Sequence, residues 1–139
     1  MTFKYSICYP DKSNIEFRDS PISASEVLDI AKNYPWREQL ELSDSLNENE
    51  ICYSPSLDFK CLETNRSFCL TADHNMKKDL QFSLWYNRPK KVKVFFGLLG
   101  EKEKMIVDDI WSYSLEDSLN YLELFTAGSY NSVERLFNK

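Results

Sequence analysis

Leu80–Leu99, LQFSLWYNRPKKVKVFFGLL, is the stretch from which the rest of the chain can be read. Leu80, Phe82, Leu84 and Tyr86 alternate with Gln81, Ser83 and Trp85, while Val92, Val94 and Phe96 alternate with Lys91, Lys93 and Phe95. A period of two, filled with aromatic and β-branched side chains, is the pattern of a half-buried strand. The segment predicts two strands joined by a short basic turn, with Lys90–Lys93 at the turn and its exit. An ordered sheet therefore belongs near the middle of the protein.

Working outward, Phe3–Tyr9 alternates in the same way, a turn cluster Pro10–Asn14 follows, and Ile15–Arg18 returns as a short strand. Ser23-Ala24-Ser25-Glu26 is a capping box. The helix it opens carries Val27, Leu28 and Ala31 on one face and stops near Tyr34, because Pro35 disfavours helical geometry in the residue before it. Pro35 can itself open a second helix containing Trp36, Leu40 and Ser43. Three further strands are expected at Ile51–Tyr53, Ser56–Leu62 and Ser67–Ala72, the last two joined through Glu63–Arg66. Met105–Trp111 fits a strand and a short helix about equally, and the strand is preferred. Ser114-Leu115-Glu116-Asp117 opens a helix with a stripe of Leu115, Leu119, Leu122 and Phe125, and Gly128 suits its left-handed stop. A last helix is expected over Ser132–Phe137.

Segregated strands and helices predict one α+β domain over residues 1–139, a single antiparallel sheet with helices on one face. Its length suffices for a core without metal or cross-links. The N-terminus shows no signal-peptide pattern, and no run approaches the roughly 18 apolar residues of a membrane span. Cys8, Cys52, Cys61 and Cys69 form no C-x-x-C pair and are expected to be reduced thiols in a cytoplasm. Cys61 shares strand parity with Leu57 and Phe59, as a small core residue would.

The chemistry-bearing residues are sparse. Three glycines (Gly97, Gly100, Gly128) make a phosphate-cradling loop improbable. His74 is the one histidine, and although a thiol such as Cys69 or Cys61 could approach it, a solvated loop position explains it more simply. Structural-zinc spacings are missing. Asp108 and Asp109 are adjacent in a strand candidate and would face opposite ways. Glu116 and Asp117 occupy a helix first turn, where the helix dipole favours acids. The expectation is no enzyme, no cofactor and no metal.

Charge points to a partner instead. Net charge is −5 and the sequence pI about 4.9, which disfavours nucleic acid and anionic membranes. Lys77, Lys78, Arg88, Lys90, Lys91 and Lys93 lie near Trp85 and Tyr86, a combination that single-strand binding also uses, but lysines equally blunt sheet edges. Glu38–Glu50 holds five acids and no Lys or Arg, and Glu101–Glu123 holds seven acids against two lysines. If these segments converge, they form a negative patch able to steer a cationic partner. The candidate contacts are Asp44, Glu48, Glu50, Asp108, Asp109, Glu116 and Asp117.

In length, acidity and lack of a catalytic constellation, and in segments such as Tyr34-Pro35-Trp36, RPKKVKVFFGLLG and YLELFTAGSYNSVERLF, the chain resembles the small acidic immunity proteins of bacterial contact-dependent and polymorphic toxin systems. The resemblance implies a cytoplasmic toxin inhibitor that blocks a toxin by surface complementarity, its partner a basic toxin domain. The alternative is a small regulatory or structural domain contacting nucleic acid or a partner through the basic Arg88–Lys93 hairpin.

Overall fold

Six strands pair side by side in one antiparallel sheet whose order departs from chain order at a single point. The computed structural model describes residues 1–75, 77, 79–93 and 101–138, with the backbone alone for 90–93 and 101–104. The strands are β1 (Phe3–Cys8), β2 (Glu16–Ile22), β3 (Ser56–Cys61), β4 (Ser67–His74), β5 (Leu80–Lys93) and β6 (Glu101–Tyr113), in the order β2-β1-β3-β4-β5-β6. Helices α1 (Ala24–Asn33) and α2 (Trp36–Ser45) connect β2 to β3, while α3 (Leu115–Thr126) and α4 (Tyr130–Phe137) close the chain. This is the α+β architecture expected, with Met105–Trp111 inside a strand.

The parity of the strands sorts the two faces. Phe3 and Ile7 of β1, Leu57, Phe59 and Cys61 of β3, Phe68, Leu70 and Ala72 of β4, and Phe82, Leu84 and Tyr86 of β5 are buried. They meet Val27, Ala31, Trp36, Leu40, Leu122, Phe125, Val133 and Leu136 of the helices in one core. Phe125 sits at its middle, with ring centroids 5.6 Å from Phe68, 5.9 Å from Phe3 and 6.3 Å from Tyr86. Aromatic pairs at such separations add to simple area burial.

Local chemistry sets the helix ends. Ser23 and Glu26 form the reciprocal capping box that opens α1. The Ser114 hydroxyl accepts from the Asp117 N–H at 3.1 Å and caps α3. Trp36 follows Pro35, donates its indole N–H to the Ala31 carbonyl at 2.9 Å and packs edge-on against Phe82. Gly128 closes α3 at φ +77°, where a Cβ would stand 2.9 Å from the Met1 Cε.

Two sequence expectations are corrected. No turn follows Tyr86: β5 runs unbroken through Arg88-Pro89-Lys90 to Lys93 and pairs with β6 from Phe82↔Tyr113 to Lys93↔Glu101. Pairing with β4 ends at Ser67↔Asn87, so residues 88–93 have, among the described residues, a neighbouring strand on one side only. Half of the N–H groups there need no ladder partner, and a proline is tolerated. Val94, Phe95 and Phe96, placed in the second strand of that pair, lie outside the described residues, as does Lys78. The second correction is Ile51–Tyr53, which forms no strand. A 3₁₀ turn at Glu48–Glu50 leads into an irregular segment held by the Cys52 N–H donating to the Pro10 carbonyl at 2.8 Å and the Tyr53 hydroxyl donating to the Ser13 carbonyl at 3.1 Å. Its backbone is tied to the β1–β2 loop rather than to a sheet edge.

Candidate functional site

Five of the seven acids singled out by sequence come to one end of the sheet. The registers Cys8↔Ser56, Ser56↔Thr71, His74↔Leu80 and Phe82↔Tyr113 place four segments there: the β1–β2 loop, the α2–β3 connection, the β4–β5 turn and the start of α3. These segments and the element ends beside them expose Asp11, Asp44, Glu48, Glu50, Asp73, Asp79, Glu116 and Asp117. Lys12 and Lys77 are the exposed cations of the same segments among the described residues. Asp44, near the end of α2, is fixed by its Oδ2 lying 3.0 Å from the His74 Nε2. Glu50 turns back to accept from the Asn47 N–H at 3.1 Å. An open depression of about 550 Å³ lined by His74, Asn75, Lys77, Asp79, Gln81 and Ser112 lies at this end.

Asp108 and Asp109 do not join them. Asp108 lies on the helix face of β6 and accepts a 2.8 Å hydrogen bond from the Arg88 Nε. Arg88 also donates to Glu134 of α4 at 3.2 Å, and the Tyr86 hydroxyl donates to the other Glu134 oxygen at 3.3 Å. Contact with Asp108 and Glu134 raises the pKa of the guanidinium further. Arg88 is thus part of an ion network that docks α4 on the β5–β6 ribbon, and its charge is matched within the protein. Asp109 points to the opposite face and accepts from the Trp111 indole at 2.8 Å.

That opposite face, which the helices leave uncovered, holds Trp85, noted above only beside the basic cluster, together with Phe17, Asp58, Val107 and Trp111, to which the sequence assigned no role. Trp85 meets Trp111 edge-on at 5.7 Å. Trp111, Val107 and Phe17 are exposed by 56%, 59% and 66%, far more than large apolar side chains in a closed core. Between them the face dips into a groove of about 130 Å³ lined by Asp58, Ser67, Cys69, Trp85, Asn87 and Val107. Asp58 Oδ1 and Asn87 Oδ1 are buried there without a hydrogen-bond partner. Burial raises the Asp58 carboxyl above the ordinary carboxylate range, an effect that the nearby Lys60 ammonium partly offsets. Burial likewise pushes the Cys69 thiol up. The signal available in the sequence was a tryptophan and a valine at strand positions whose parity otherwise reads as wet.

His74 bonds to an acid, while the Cys69 thiol pairs with the Thr71 hydroxyl and the Cys61 thiol with Met1 and Glu63. Among the described residues no group of three or more histidines, cysteines or acids is placed to hold a metal ion. No described helix is long and apolar enough to cross a membrane. Comparison of the chain with protein-family models, curated proteins and solved structures gives no match.

Proposed function

We propose that this protein is a protein-binding inhibitor, an immunity-type protein of the bacterial cytoplasm that neutralises a cognate toxin by covering a basic surface on it. The observation that carries the reading is the convergence of acids from separate parts of the chain. Asp44, Glu48 and Glu50 come from one acidic segment, Glu116 and Asp117 from the other, and all are exposed at one end of the sheet. Carboxylates spread over a rigid scaffold act on encounter, raising the association rate with a cationic partner and excluding acidic ones. Such a function asks for complementarity and no chemistry of its own. The rival basic-hairpin reading loses Arg88, whose guanidinium is already paired with two carboxylates.

The test is to co-express the chain with a toxin encoded beside its gene and to measure association across a salt series. Binding should slow as salt shortens the Debye length from about 10 Å at 0.1 M, and should slow again when Asp44, Glu48, Glu50, Glu116 and Asp117 are reversed to lysine. Salt-independent binding untouched by reversal would remove the electrostatic model. A gene with no toxin neighbour, in a protein that binds RNA tightly through Lys90, Lys91 and Lys93, would remove the immunity reading.

A further inference from the structure

The groove on the helix-free face of the sheet has the chemistry of a receptor for one particular side chain. Asp58 lies on β3, opposite Ser6 of β1 and Cys69 of β4. None of these neighbours carries a positive charge. Lys60 is two residues along the same strand and forms no ion pair with Asp58, and Lys4, opposite Lys60, reaches towards Asp19 at 4.0 Å. A carboxylate in the middle of a sheet thus faces a cavity without a counter-charge in contact. The second unpartnered oxygen, Asn87 Oδ1, lines the same cavity. Both oxygens accept hydrogen bonds, so the missing group is a donor, and Asp58 makes a cationic donor the best match.

The walls narrow the choice further. Trp85 lines the groove, and its indole N–H is engaged by the Ser83 hydroxyl at 3.1 Å, so it is not the donor that the two oxygens lack, and what it offers is an aromatic ring. A planar guanidinium can stack on such a ring and still offer hydrogen bonds in its own plane, whereas a hydrated ammonium is a point charge. A volume of about 130 Å³ is roughly four times the ~30 Å³ that a water takes up in the liquid, room for a head group of a few heavy atoms.

We propose that this groove receives an arginine side chain of the partner protein, its guanidinium held by Asp58 and Asn87 and flanked by Trp85. The assignment rests on the protein-binding reading above and gives it an anchor: one desolvated contact, with the exposed acids steering the approach. Buried arginines are enriched among the residues that dominate interface energies. A carboxylate with one oxygen buried and unpartnered costs the free protein stability, and an arriving guanidinium would convert that cost into affinity.

The test needs no toxin. Nα-acetyl-arginine amide is titrated into the intact protein while the indole signal of Trp85 and the side-chain amide of Asn87 are followed by NMR. The proposal expects saturable shifts at both, none with the uncharged citrulline derivative, and a loss of affinity of about tenfold or more in Asp58→Asn, as for a charge-assisted hydrogen bond. Asp58→Asn should melt no lower than the wild type, so that the loss is not one of folding. Equal shifts with citrulline, or arginine binding unchanged in Asp58→Asn, would overturn the assignment, as would shifts at the acidic end alone. Because the probe is a single amino acid, failure here leaves the toxin-binding test of the previous section intact, and the reverse also holds.

Discussion

The Arg88 Nε and the Asp108 Oδ2 stand 2.8 Å apart across the β5–β6 ladder. In the sequence the two residues belonged to competing ideas, one in a basic hairpin and the other in an acidic patch. In the fold they satisfy each other, with Glu134 as the second carboxylate on the guanidinium. Both charges are mostly shielded, with side-chain exposures of 13% and 27%, and truncating one would leave the other without its partner. Arg88→Met should therefore cost about 1–3 kcal/mol of stability and loosen α4, with no selective effect on partner affinity. Denaturant unfolding together with amide exchange on α4 checks it: unchanged stability, or loss of exchange protection elsewhere but not in α4, would contradict the docking role.

Phe125 touches four aromatic rings, those of Phe3, Phe68, Tyr86 and Tyr130. It is the point at which α3 locks onto three strands and onto α4. Phe125→Ala should destabilise by roughly 3–5 kcal/mol, the range for a buried phenylalanine whose cavity cannot close. A melting curve matching the wild type would mean that the helix layer is packed otherwise.

Gly128 combines a left-handed backbone with a close neighbour. Gly128→Ala meets both the positive φ and the Met1 methyl 2.9 Å from the new Cβ. The expected loss is about 1 kcal/mol from the backbone alone. Trimming the neighbour in a Met1→Ala/Gly128→Ala double variant, prepared behind an added N-terminal residue, should recover part of any further loss, measured by thermal melting.

Asp58 should leave a signature in the dependence of stability on pH. Its folded pKa is raised by burial, with Lys60 the opposing cation, and the nearby Cys8 and Cys69 thiols, their own pKa values raised, stay neutral. From the unfolded value near 3.9 upwards, the native state binds more protons at this site than the unfolded chain does, so its contribution to stability falls as pH rises through the folded value. Asp58→Asn removes that decline. The difference in melting temperature, variant minus wild type, should therefore grow from acid towards neutral pH and then level off; a difference that shrinks on the same path would show the carboxylate to be stabilised in the fold.

Much of the framework is written in local pattern. Phe3-Tyr5-Ile7, Leu57-Phe59-Cys61 and Phe68-Leu70-Ala72 alternate cleanly because each strand has one dry face, and the Ser23–Glu26 box marks a helix start by its own hydrogen bonds. Pattern misled at Pro89, where a turn-forming residue sits in a strand that has outgrown its inner neighbour. The surplus of partners on one side is a property of strand lengths elsewhere in the chain, and no local window contains it. Asp58 was invisible for the same reason. Between Leu57 and Phe59 it reads as a solvent-facing residue, and the groove it shares with Trp85 and Val107 is made by residues two and three strands away. The acidic patch was half legible: the segments carried the charge, but only the strand registers show that Asp108 and Asp109 leave it.

The three tryptophans fall on opposite sides of the sheet, Trp36 in the core and Trp85 with Trp111 edge-on in the open. Two indoles at 5.7 Å couple electronically, so the native chain carries a built-in optical reporter for its uncovered face. The exciton signal of that pair should change when the face is occupied, while the helix signal, lost only on unfolding, reports the fold. Occupancy and integrity can be followed in one cuvette, without a label.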